Sequence, residues 1–226
     1  MSIEPPSGLN LPSMNERRSL RELITHELQA ALVAGKLRPG IVYSAPMLAA
    51  EFGVSATPVR EAMLDLTKEG LVEVVRNKGF RIVGITDQDL DDFTEIRALI
   101  EIPATVRVAA GATAEQLEPL RPVAAEIVAA ARTGDLIAYV EADRRFHLAL
   151  LSFTGNRHLV DTVGDLRKRS RLYGLNQLAE VGRLVASAEE HEQLLNLMIA
   201  RDLPRVEQAI TLHLGHVRSL WAKPQD

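Results

Sequence analysis

Apolar residues recur with a helical period along most of the chain, and dense branched and aromatic runs appear in one short stretch. Leu20, Leu23, Ile24, Leu28 and Ala31 mark an amphipathic first helix. A short second helix follows Ser44, a good N-cap, and carries Met47, Leu48 and Phe52 before Gly53 stops it. Val54 and Ser55 complete a turn. A third helix is expected from near Thr57, with Pro58 at its first position, where the missing N–H costs nothing. Val59, Ala62, Met63 and Leu66 fall at i, i+3, i+4 and i+7 and give it one apolar face; Arg60, Glu61 and Lys68 lie off that face and Gly70 closes the helix. Leu71–Val75 and Phe80–Val83 then read as two strands joined by Asn77-Lys78-Gly79. Two short helices across a tight turn, followed by a β-hairpin, predict a winged helix-turn-helix. Spacing alone fits two core helices and a hairpin about equally well.

The pattern changes near Gly84-Ile85-Thr86, and Thr86-x-x-Asp89 has the form of a helix start. From there to Lys223 the chain is alanine- and leucine-rich. Breaks fall at Gly111-Ala112-Thr113, Thr133-Gly134-Asp135, Gly155-Asn156 and Asp202-Leu203-Pro204. About six helices are expected, with Pro103 kinking or dividing the first of them. The predicted fold class is therefore mainly α: a winged helix-turn-helix of three helices and a hairpin over residues 15–83, a linker at 84–86, and an antiparallel helical bundle over 87–226. Residues 1–14, with three prolines, are expected to form a disordered arm.

Four polar residues interrupt the apolar stripes of the bundle. Asp143 and His147 lie one turn apart in the stripe Leu136, Val140, Asp143, His147, Leu150, Leu151. His191 sits in the stripe Leu184, Ala188, His191, Leu195, Met198, and His213 in Val206, Ile210, His213, Val217, Leu220. A buried carboxylate without a partner costs several kcal/mol, so Asp143 needs a cation or hydrogen-bond donors. A divalent metal held by Asp143, His147, His191 and His213 satisfies all four; a hydrogen-bonded Asp–His core without metal is the plainer alternative. Zinc leads, with nickel, manganese or iron as other candidates. His216 lies off the stripe and is a weaker ligand candidate, while His26 and His158 are expected to be solvated.

Composition narrows the function. The 226 residues include no cysteine, which excludes disulfides and thiolate metal sites and is compatible with a reducing cytoplasm. No apolar run reaches membrane-spanning length, and the first residues lack a signal-peptide core. The net charge of −4 divides unevenly: residues 1–83 carry 10 basic and 9 acidic side chains, the remainder 16 and 21. A reading head so weakly charged implies local basic contacts with DNA instead of a broad cationic surface.

The string running from Gly35-Lys36-Leu37-Arg38-Pro39-Gly40 through Leu48-Ala49 … Phe52-Gly53-Val54-Ser55 … Thr57-Pro58-Val59-Arg60-Glu61-Ala62 to Asn77-Lys78-Gly79-Phe80 closely resembles the GntR family of bacterial transcription regulators, over about residues 19–83. The resemblance implies DNA contacts by Ser55, Thr57 and Arg60 at the recognition helix, Lys78 on the wing, and Arg38. Two positions depart from it: Ala56 stands where that family usually has arginine, and an acidic residue is often found near Ala45. Losing the arginine removes a donor to phosphate or base edges. In the second half, Asp143-x-x-x-His147-x-x-Leu150, Ser152-x-x-Gly155-Asn156, Glu190-His191-x-x-Leu194 and Ala209-x-x-x-His213 resemble the FCD effector domain of the FadR subfamily over about residues 87–222. That resemblance implies a metal on the same aspartate and three histidines and a small organic acid beside it. Arg97-x-x-x-Glu101 resembles the start of that domain. Arg97 is thus a candidate carboxylate clamp, against the plainer account of an i,i+4 surface pair. The basic run Arg167-Lys168-Arg169-Ser170-Arg171 reads as a solvated helix face from which one arginine could reach the ligand. Together these features predict a cytoplasmic, homodimeric transcription regulator, a repressor acting on a short palindrome in double-stranded DNA. A regulator that senses the metal itself and, less favoured, a helical metalloenzyme are the alternatives.

Overall fold

The computed structural model describes residues 19–33, 35–171, 175, 179 and 182–221, excluding the side chains of 169–171 and 216–221. The expected N-terminal arm lies outside these residues. The first unit contains α1 (Leu20–Val33), β1 (Val42–Tyr43), α2 (Ala45–Phe52), α3 (Ala56–Lys68), β2 (Val72–Val75) and β3 (Gly79–Ile82). Ser44 caps α2 by accepting from the Met47 N–H, and Gly53 ends it at φ 66°. Val59, Ala62, Met63 and Leu66 are fully buried, as their spacing predicts. The third helix begins at Ala56, so Pro58 occupies its third position instead of its first; a backbone N–H there would also have no intrahelical acceptor, and proline is tolerated. The hairpin is part of a three-stranded antiparallel sheet of order β1-β3-β2, because Val42 and Tyr43 pair with Arg81 and Phe80. Gly79 lets this third strand approach: a side chain there would collide with the Tyr43 carbonyl. On α1, Ile24 and Leu28 are buried, whereas Leu20 and Leu23 are exposed, as is Met47 on α2.

The second unit is all helical: α4 (Asp87–Gly111), α5 (Ala114–Leu117) with a 3-10 turn (Glu118–Leu120), α6 (Arg121–Thr133), α7 (Leu136–Ser152), α8 (Arg157–Arg171), α9 (Leu184–Ile199) and α10 (Leu203–Trp221). Thr86 and Asp89 form a reciprocal capping box at the start of α4, the feature their spacing predicts. Pro103 does not divide α4. It sits on the exposed face, where the Leu99 carbonyl that it leaves without a donor can be hydrated. The bundle core is made by α4 against α10, and by α6 against α7 and α9. Leu117, Ile127, Phe146, Leu195, Val206 and Ile210 are among its buried residues. The two units meet where α1 packs on α7.

Candidate metal centre and DNA-reading face

Asp143 and His147 on α7, His191 on α9 and His213 on α10 converge in the bundle core, and one donor atom from each lies within 4.8 Å of the others. All four residues are buried. Nε2 of His191 is 3.1 Å from Nε2 of His147 and 3.0 Å from Oδ1 of Asp143. Phe146 walls the centre by packing edge-on against the rings of His147 and His191.

The outer ring nitrogens decide what the inner ones present. His191 Nδ1 lies 2.9 Å from the Ala188 carbonyl, which can only accept, so this nitrogen carries the hydrogen. His213 Nδ1 lies 2.8 Å from a carboxylate oxygen of Glu190, which assigns its hydrogen in the same way. Each of these rings therefore turns its Nε2 inward, toward the other rings and the Asp143 carboxylate. Burial, and then the nearby Arg167 charge, hold His147 neutral well below the ordinary histidine range. Imidazole nitrogens and a carboxylate gathered this closely are donors that one divalent cation could share. Three imidazoles and one carboxylate are a donor set suited to zinc and its neighbours, so the residues present fit a metal.

Behind the aspartate lies a buried charge network. Arg167 donates to Asp143 Oδ2 at 3.0 Å and also to Glu101, and Arg97 Nε donates to the other Glu101 oxygen at 2.7 Å. Burial pushes the Glu101 carboxyl up, but the Arg167 and Arg97 charges outweigh it and leave it below the usual carboxylate range. Arg97 and Glu101 are thus an internal pair, not a surface one. Arg167, part of a run expected on a solvated face, is only 1% exposed. Sequence reasoning named Glu101 only as the partner of Arg97, without its place in this network, and could not choose Arg167 from its basic neighbours. The available signal was the carboxylate one turn after Arg97. Arg97 Nη2 is buried with no acceptor among the described residues. His158 is exposed, His26 half-buried at the meeting of the two units, and the His216 side chain lies outside the described residues.

On the first unit, Ser55, Thr57 and Arg60 are exposed at the start of α3, and Lys78 is exposed at the hairpin tip, where Asn77 adopts φ 60°. Arg38 is exposed too, its backbone N–H donating to the Tyr43 hydroxyl at 3.0 Å. Arg21 binds Asp65 with two N–H groups and ties α1 to α3, holding the Asp65 carboxyl at about 2. No described helix is long and apolar enough to cross a membrane.

Residues 20–82 match the bacterial regulatory proteins of the gntR family, and residues 92–216 match the FCD domain. The HTH-type transcriptional regulator LutR of Bacillus subtilis (strain 168) is 30% identical over 210 residues, covering 82% of this chain and 94% of its own. YdhC, an HTH-type transcriptional regulator of the same strain, is 29% identical over 195 residues, covering 84% and 86%. The fold is similar to that of E. coli McbR/YncC, with a TM-score of 0.68 at 24% identity over 91% of this chain and 98% of that one. A winged reading head joined to this helical domain, matched along almost the whole described chain, places the protein in the gntR family of bacterial regulatory proteins, in its FadR-like branch, as a DNA-binding transcription regulator.

Proposed function

We propose that the protein is a cytoplasmic, homodimeric repressor whose affinity for a short palindromic operator is set by a small carboxylate bound at a divalent metal in the helical bundle. The observation that carries this reading is the convergence of three buried histidine rings and Asp143 beside the guanidinium of Arg167. Asp143, His147, His191 and His213 would hold the ion, and their donor type favours zinc; nickel, manganese or iron would also suit them. A bound ion would supply positive charge that attracts the carboxylate of an acid. Arg167 and Arg97 supply the surrounding donors, and the unmatched Arg97 Nη2 is a group that a ligand oxygen or a water at that depth would satisfy. Coupling to DNA is then linkage: the acid favours one arrangement of the two units, and that arrangement sets the separation of the reading heads. The test is an operator titration with candidate acids on metal-loaded and chelator-treated protein. A response to acid only in the loaded protein supports the reading. DNA affinity that tracks the metal with no acid present makes the protein a metal sensor instead.

The dimer reading rests on α4. Ile96, Leu99, Pro103, Val106 and Ala110 follow alternating steps of three and four residues along its outer face, and Leu99 is 70% exposed. That spacing is the seam of two helices packed side by side. Leu99→Glu should therefore shift the protein to monomer in light scattering and weaken operator binding, since half-sites are then engaged singly. A dimer of unchanged mass would move the interface elsewhere.

At the reading head, Arg60→Ala is expected to cost about 1–3 kcal/mol of operator affinity. Lys78→Ala should weaken binding to all sequences alike and flatten the salt slope by about one unit. Anisotropy titrations at several salt concentrations check both. Ser55, Thr57 and Arg38 are assigned to positioning contacts on the same surface.

A further inference from the structure

A cavity of about 260 Å³, partly open to solvent, lies between the two units. Its floor is Asp143 and Arg167, so it reaches the polar centre of the bundle; Ile137 and Val140 form an apolar wall, and Gln29 and Glu69 of the DNA-binding unit close the other side. The charges around it are unevenly matched. Arg144 is paired with Glu141 at 3.2 Å, and Lys168 has Asp165 at 3.9 Å. Glu69 accepts from the neutral Gln29 amide at 3.0 Å and has no cation within ion-pair distance among the described residues. Burial raises its carboxyl above the ordinary range, and Lys168 opposes that only through space. A half-buried carboxylate facing a cavity with only an amide partner is a place for a cationic donor. With Glu141 and Asp143 already paired to arginines, one carboxylate and one amide are too few oxygens for a hard divalent ion.

We propose that this cavity takes a small amino acid, its carboxylate toward Arg167 and the Asp143 centre and its ammonium on Glu69. The inference rests on the carboxylate-effector reading and adds to it the chemical class of the effector. The cavity volume falls just below the range of about 300–1,000 Å³ typical of drug-sized ligands, which suits a single amino acid. Glu69 is also the residue that ends α3, its backbone N–H bonding to the Asp65 and Thr67 carbonyls. A ligand held at both ends therefore connects the metal centre directly to the recognition helix, and stabilises only the arrangement in which the two units close on it.

Calorimetric titration of the full metal-loaded chain tests this with matched pairs: alanine and propanoate, 4-aminobutanoate and butanoate, 6-aminohexanoate and hexanoate. At least one amino acid should bind about tenfold or more tighter than its amine-free partner, the size of one charge-assisted hydrogen bond. Glu69→Gln should bring that pair to within about twofold without weakening the amine-free acid. Equal, metal-dependent binding of both members overturns the amino-acid assignment and leaves the carboxylate effector standing. A preference that persists in Glu69→Gln, or no binding of any amino acid, also overturns it. A Glu69-dependent preference that survives chelation supports the cavity and removes the metal from the effector reading.

Discussion

Replacing His191 or His213 by alanine will abolish stoichiometric metal and lower the melting temperature of the metal-loaded protein. Each ring contributes an inward Nε2 whose tautomer is fixed from outside, by the Ala188 carbonyl and by Glu190 respectively. With four donors within 4.8 Å, loss of one leaves an incomplete set, and the stabilisation that metal binding adds to the folded state is lost with it. Asp143→Ala and His147→Ala should behave alike, while His26→Ala and His158→Ala should retain the ion and serve as controls. Elemental analysis and a thermal melt decide it: full occupancy in both the His191 and His213 variants would falsify the four-ligand centre. Acid acts in the same direction. His147 stays neutral when folded to well below its ordinary value of about 6.5. Below that value the unfolded chain takes up a proton that the folded chain refuses. Metal-free protein should therefore lose stability as pH falls below about 6.5, with no change from this group above it. Metal affinity should fall below about pH 6, because protons compete for the imidazoles.

Arg167→Met is expected to destabilise the helical bundle by about 3–5 kcal/mol, read from the bundle's transition in urea. Methionine keeps much of the packing of the arginine stem, so the loss isolates the charge. Without the guanidinium, Glu101 retains only Arg97 and Asp143 loses a donor, both in a dry environment. Lys168→Met, one position on, removes a partly exposed side chain and should change stability by no more than about 0.5 kcal/mol. Equal effects of the two substitutions would mean that the network is solvated.

Much of this protein could be read from the chain because periodicity is a local property. The spacing of Val59, Ala62, Met63 and Leu66 fixes which face of α3 is buried, whatever covers it. The same geometry put Asp143, His147, His191 and His213 on inward faces of three helices, and the structure brings them together. Caps at Ser44 and Thr86 and the stop at Gly53 are decided within four residues of sequence.

Contacts between distant segments were decided only by the tertiary structure. β1 has two residues, too few to show alternation, and exists because β3 offers a free edge almost forty residues later. Leu20, Leu23 and Met47 fit their helical stripes, yet stay exposed because the neighbouring elements do not reach that far round. In the run Arg167 to Arg171 no pattern marks one basic residue as buried. Arg167 enters the core because Glu101, 66 residues earlier, and Asp143 stand opposite it. Glu69 shows the same limit: as a polar residue at a helix end it reads as solvated, and it faces a cavity because the helical bundle closes over it. The sequence by itself determined each element and its buried face, since backbone geometry and hydrophobic patterning act over a few residues. Charge pairing and cavities depend on which surfaces meet, and that was settled only when the two units packed.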